Sequence, residues 1–109
     1  MSDRLPTALY VDAHLKNLTA EAKFYHFIQK GNHSSGIVVL KINSLNGKVK
    51  LVIQERDFMT DKMAWAAALE EEIVDEPTAD AYIQRAIARD PDLWVIEIED
   101  RDMQNPFED

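Results

Sequence analysis

The sequence predicts an α+β domain in which a mainly antiparallel sheet of four or five strands carries two packed helices. Three observations carry that expectation. An Asn46-Gly47 pair lies between two β-branched runs, two separate segments repeat apolar residues at helical spacing, and "DPDLWVIEIEDRD" (90–102) reads as a helix stop, a buried strand and a charged exit. With 109 residues and a 46% apolar share the chain is sized for one domain over 1–109, with residues 103–109 a loosely ordered tail that Phe107 could anchor.

Taken in order, Ala8, Val11, Leu15, Leu18 and Ala22 fall on one stripe of a first helix. "KFYHFIQKGNHSSG" then reads as a strand running into a loop. In "GIVVLKINSLNGKVKLVIQER", Asn-Gly tolerates the positive φ angles of a two-residue type I′ turn. That turn would pair Ile42 with Leu51 and Leu40 with Ile53, putting all four on the core face. The opposite face would carry Lys41 beside Val52, Asn43 beside Lys50 and Val39 beside Gln54, a mostly polar set, and Lys41, Lys48 and Lys50 would be a solvated strand face.

"RDFMTDK" (56–62) reads as a connection. Residues 63–69 satisfy helical propensity and strand alternation alike, and strand is preferred because Met63, Trp65, Ala67 and Leu69 alternate with small residues. Asp75, Glu76 and Pro77 open a second helix with acid at its positive end, and Ala79, Tyr82, Ile83, Ala86 and Ile87 form its apolar stripe. Asp90-Pro91 ends it, and the last strand begins at Leu93.

Lys and Arg number 12 against 20 Asp and Glu, a net charge of −8, and no basic cluster offsets it, so nucleic acid and anionic membrane are not expected partners. The absence of cysteine excludes disulfides, thiolate metal sites and a cysteine nucleophile. No apolar run approaches the length of a membrane span and the N-terminus lacks a signal-peptide pattern, so a cytoplasmic protein is expected.

The segment "DAYIQRAIARDPDLWVIEIEDRD", with Asp80-Ala81-Tyr82, an arginine in the helix, and Asp90-Pro91-Asp92-Leu93-Trp94 leading into Val95-Ile96-Glu97-Ile98-Glu99-Asp100, resembles an alphaproteobacterial family, domain of unknown function 1491. The resemblance spans the chain, although only the last third carries the motif. It implies a bacterial cytoplasmic origin and a one-domain architecture, and no activity, substrate or catalytic residue.

Among side chains that could do chemistry, Glu97 and Glu99 share one face of the last strand at roughly 6 to 7 Å, with Asp92 and Asp102 near its ends. Such carboxylates could hold a divalent cation or divide acid and base roles. The preferred reading is a strand end emerging into water. His14, His26 and His33 have no metal-ligand spacing. "GNHSSG" lacks the pattern of a phosphate loop, and Ser34 and Ser35 lack the setting of a hydrolase nucleophile. Trp65, Trp94, Tyr82 and Arg85 are read as packing and helix-end charge rather than a site. No catalytic, cofactor or metal residue is therefore assigned.

The leading functional expectation is a small non-enzymatic binding or interaction module with an unknown protein partner. A metal-dependent or acid/base enzyme centred on Glu97 and Glu99 is the alternative, followed by an acidic mimic of nucleic acid that binds a basic partner. Leu93 and Val95 point away from Trp94, Ile96 and Ile98, and with Ile37 and Val39 they would form an apolar patch. Either the first helix covers it or a second chain does, and a homodimer through Leu93, Val95, Ile37 and Val39 is the expectation.

Overall fold

The structure is a computed structural model that describes residues 6–57, 59–60 and 62–108. Its elements run α1 (Thr7–Ala20), β1 (Phe24–Gln29), β2 (Val38–Asn43), β3 (Lys48–Asp57), β4 (Lys62–Ala67), β5 (Ile73–Asp75), α2 (Glu76–Arg89) and β6 (Trp94–Glu99). The α+β class and the two helices are as expected. The sheet has six strands rather than four or five, in the order β1-β6-β2-β3-β4 with β5 also on β3, and it is mixed because β2 and β6 run parallel.

Residues 62–67 form a strand, so alternation prevails over the helical propensity of its alanines. The connection expected over 56–62 is shorter than read, since β3 continues to Asp57 and β4 starts at Lys62. Residues 58 and 61 of that connection, residues 1–5 of the N-terminus and Asp109 of the tail lie outside the described residues.

The hairpin differs from its expected register by one residue. Ser44 faces Lys48 through a 3.0 Å backbone bond, so the loop holds three residues, and Leu45 (φ 68°) and Gly47 (φ 94°) both take the left-handed region. Lys41 therefore pairs with Leu51 and Val39 with Ile53. Because side chains alternate with period two, the slip moves Leu51 and Ile53 to the face opposite Leu40 and Ile42. The polar contacts of the loop explain the third residue: Asn43 Oδ1 accepts the Leu45 N–H at 2.8 Å, and the Ser44 hydroxyl lies against the Lys48 carbonyl and the Asn46 side chain.

The sheet consequently has two buried faces. On one, Val11, Leu15 and Leu18 of α1 pack against Leu40, Ile42, Val52, Trp94, Ile96 and Ile98. On the other, Ala79, Ile83 and Ala86 of α2 cover Val39, Val49, Leu51, Leu93 and Val95. The helices lie on opposite sides, which supplies within one chain the cover that the sequence left to α1 or to a second copy. Of the four residues assigned to a dimer contact, Leu93, Val95 and Val39 are buried beneath α2, and Ile37 alone is exposed, at 45%.

Glycine is required where Gly31 and Gly36 pass the start of β6. A Cβ on Gly31 would stand 2.1 Å from the Asp92 carbonyl oxygen, and Gly36 combines φ 116° with a 2.4 Å approach to the same atom.

Candidate functional site

Two clusters of functional side chains are built by this fold. The first surrounds Lys41, which was expected in solvent and is instead 5% exposed. β2 turns it toward α2, whose first turns bring Glu76 and, four residues on, Asp80, while the parallel register sets Glu97 of β6 beside it. Its ammonium meets Glu76 Oε2 at 2.8 Å, Asp80 Oδ1 at 2.7 Å and Glu97 Oε1 at 3.5 Å. Of the three N–H donors of the ammonium, Glu76 and Asp80 accept two, and Glu97 adds its charge at 3.5 Å.

Further polar contacts surround the clamp. Asn43 Nδ2 donates to Glu97 Oε2 at 3.0 Å and Glu76 Oε2 at 3.2 Å, and His26 Nε2 lies 3.5 Å from Glu97 Oε1. Burial alone would lower the Lys41 pKa, but the hydrogen bonds to Asp80 and Glu76 and the charge of Glu97 outweigh it and hold the amine well above the ordinary lysine range. A lysine nucleophile or base needs the opposite shift. The cluster is a charged clamp between α2 and the central strands, and Glu97 is one of its members rather than half of an open pair with Glu99.

The second cluster is an open cleft of about 680 Å³ between α1, β4 and the C-terminal tail, lined by Tyr10, His14, Lys62, Met63, Trp65, Phe107 and Glu108 among others. Phe107, 4% exposed, closes its floor. That ring stacks on His14 at 4.8 Å between centroids, lies tilted to Tyr10 at 5.6 Å and meets Trp65 edge-on at 5.7 Å. The tail is thus pinned through Phe107, the anchor read from the sequence.

His14 Nδ1 lies 2.9 Å from the Tyr10 carbonyl oxygen. A carbonyl can only accept, so Nδ1 carries the proton and a neutral His14 presents Nε2 as an acceptor. The cleft therefore offers an aromatic floor with a rim of imidazole, lysine and carboxylate.

The remaining candidates from the sequence hold structure together. Asn32 Oδ1 accepts the N–H groups of Ser34 and Ser35, and the Trp94 indole donates to the Asn32 carbonyl at 2.9 Å, so "GNHSSG" is a folded connection with His33 exposed upon it. Tyr82 packs at the edge of the α2 core and Arg85 is exposed. Lys48 and Lys50 pair with Asp75 and Glu72. Asp92 and Asp102 are exposed and remote from the Lys41 clamp's hydrogen bonds, contributing main-chain N–H groups to Asp90 and Asp100. Among the described residues, no group of three His, Asp or Glu side chains has the geometry to hold a metal ion.

Tyr10 and His14 were missed as site residues because they lie beside the apolar stripe of α1, not in it. Their i, i+4 aromatic spacing was the available signal.

The fold and these clusters define a class: a small three-layer α+β protein with a charged clamp under one helix and an aromatic cleft under the other. The chain belongs to the DUF1491 family, described as proteins of unknown function, whose model matches residues 5–108. It is similar to a DUF1491 protein from Caulobacter crescentus CB15, whose crystal structure superposes with a TM-score of 0.82 at 30% identity, covering 96% of this chain and 95% of that one. An NMR structure of a DUF1491 protein from the same organism gives 0.77 at 29% identity over 94% and 91% of the two chains. The solution structure of Atu0922 from A. tumefaciens shares the fold, with a TM-score of 0.72 at 23% identity over 89% and 86%. No curated protein matches the chain. Among the described residues, no helix is long and apolar enough to cross a membrane.

Proposed function

We propose that this protein is a non-enzymatic binding module, acting in the cytoplasm, whose working surface is the aromatic cleft of Tyr10, His14, Trp65 and Phe107. The observation that carries this reading is the contrast between the two clusters. The charged one has its lysine donors committed to carboxylates, whereas the cleft is open, apolar at its floor and polar at its rim. Such a surface suits a flat apolar group with one polar end, such as an aromatic side chain on a partner protein.

Titration of the ¹⁵N-labelled protein with indole and with phenol tests it by NMR. Chemical-shift changes should concentrate at Tyr10, His14, Trp65 and Phe107. Changes centred on Lys41 and Glu97, or none at millimolar probe, would overturn it.

A further inference from the structure

β4 is the last strand on its side of the sheet, and among the described residues no strand pairs with its outer edge. The direction of its backbone groups follows from the ladder. Ala68 N–H bonds to the Leu51 carbonyl, so the alternate residues Ala66, Ala64 and Lys62 face β3 and bond inward. Met63, Trp65 and Ala67 must then present their N–H and C=O groups outward. The edge has few of the devices that block strand addition: no proline, no bulge and, within Lys62–Ala67, one charge at its first residue.

The charges flanking β4 specify an orientation. Lys62 opens the strand, and Glu70, Glu71 and Glu72 follow it, all four exposed. Antiparallel pairing of two such strands brings the lysine of each copy beside the acidic end of the other. The opposite edge of the sheet behaves differently: β1 contains a bulge between Phe27 and Gln29, and the flanking residues Lys23 and Lys30 would face each other across a two-fold axis.

We propose that a second copy of this chain docks along β4, the two strands running antiparallel about a two-fold axis at Trp65, with Met63 opposite the partner's Ala67. This register matches the outward-facing residues with one another, places a large side chain against a small one, and covers Met63, which is 42% exposed. Lys62 then comes near the acidic stretch Glu70, Glu71 and Glu72 that follows the partner's β4. Trp65 packs on the α1 side, so the two aromatic clefts come together on one face of a sheet continuous through both copies. The inference rests on the cleft as the working surface and names its first partner, since each copy would wall the other's cleft.

Light scattering on a sizing column, over a micromolar-to-millimolar dilution series of the full chain, reads the assembly state. The expected mass is twice the 12.5 kDa of the chain. Met63→Pro removes an outward N–H without touching the ladder to β3, and should raise the dimer dissociation constant at least about tenfold. Lys62→Glu should weaken the dimer several-fold, and adding Glu70→Lys should restore it, which keeps the test decisive if the proline variant does not fold. A wild-type chain that stays monomeric throughout the series overturns the proposal. A dimer untouched both by Met63→Pro with a wild-type circular dichroism spectrum and by Lys62→Glu does so as well. Indole titration of the wild type separates the two readings: shifts at Trp65 in a strictly monomeric protein leave the cleft and remove the dimer, and a dimer without those shifts does the reverse.

Discussion

Replacing Lys41 with methionine tests the charged clamp between α2 and the sheet. Methionine preserves most of the volume and removes the ammonium that three carboxylates share. Breaking one side of a buried ion pair costs about 3 to 5 kcal/mol, mostly through the charge left behind. Glu76 and Asp80, 38% and 51% exposed, can turn to water, so the uncompensated charge is that of Glu97, 13% exposed. Glu97 retains the Asn43 amide at 3.0 Å. The cost should therefore fall at the low end, about 3 kcal/mol, or a melting temperature lower by roughly 12 °C at this chain length. Glu97→Gln alone should cost about 1 kcal/mol, because Lys41 keeps two partners. The double variant should be more stable than Lys41→Met, giving a coupling energy of about 2 kcal/mol. Urea denaturation at pH 7 of wild type, both single variants and the double variant provides the cycle. Additivity within about 0.5 kcal/mol would refute the claim that Glu97 is the charge left stranded.

Three further outcomes are expected. Phe107→Ala should destabilise by about 3 kcal/mol or more, read as a shift in urea midpoint, because a buried ring that joins the tail to Tyr10, His14 and Trp65 leaves a cavity. Gly31→Ala should lower the melting temperature more than Gly47→Ala, since Gly31 has a carbonyl oxygen 2.1 Å from the new methyl position and Gly47 has only its backbone angle to relieve. For Asp100, burial would raise the carboxyl pKa, but the N–H groups of Asp102 and Gln104 and the ammonium of Lys23 prevail and hold it below its ordinary value. A depressed folded pKa contributes stability above the unfolded value that is lost as pH falls through the folded one, so wild type should lose stability below about pH 4. Asp100→Asn should be less stable at pH 7 and should lack that component of the acid limb in a pH series of thermal melts.

The helices, the last strand and the existence of the hairpin were legible because each rests on local chemistry: a stripe at period 3.6, a proline stop, an Asn-Gly turn. The hairpin register was not. Both faces of β2 and β3 are apolar enough to be buried, so alternation did not discriminate two registers one residue apart, and the choice fell to side-chain contacts within the loop. The same ambiguity hid Lys41. A lysine among β-branched residues resembles a solvent position until a helix 35 residues later supplies its carboxylates. Two amphipathic helices fit one side of the sheet or both, so the cover over Leu93 and Val95 was also undetermined by pattern alone. The aromatic cleft draws on residues 10, 14, 65 and 107, which no local window contains.

The parallel pairing of β2 with β6 also bears on how this chain emerges from a ribosome. β2 spans 38–43 and β6 spans 94–99, and β6 separates β1 from β2 in the sheet. Until β6 is available, β1 has no neighbour and both faces of β2 lack half of their lining. The β2–β3–β4 meander can pair early, but the two cores close only once residues 94–99 are present. Synthesis should therefore pass through a long interval in which Val38, Val39, Leu40 and Ile42 lie open along an unpaired edge. That interval is where a holding chaperone would act, and where truncation before residue 94 would yield an aggregating fragment rather than a smaller fold.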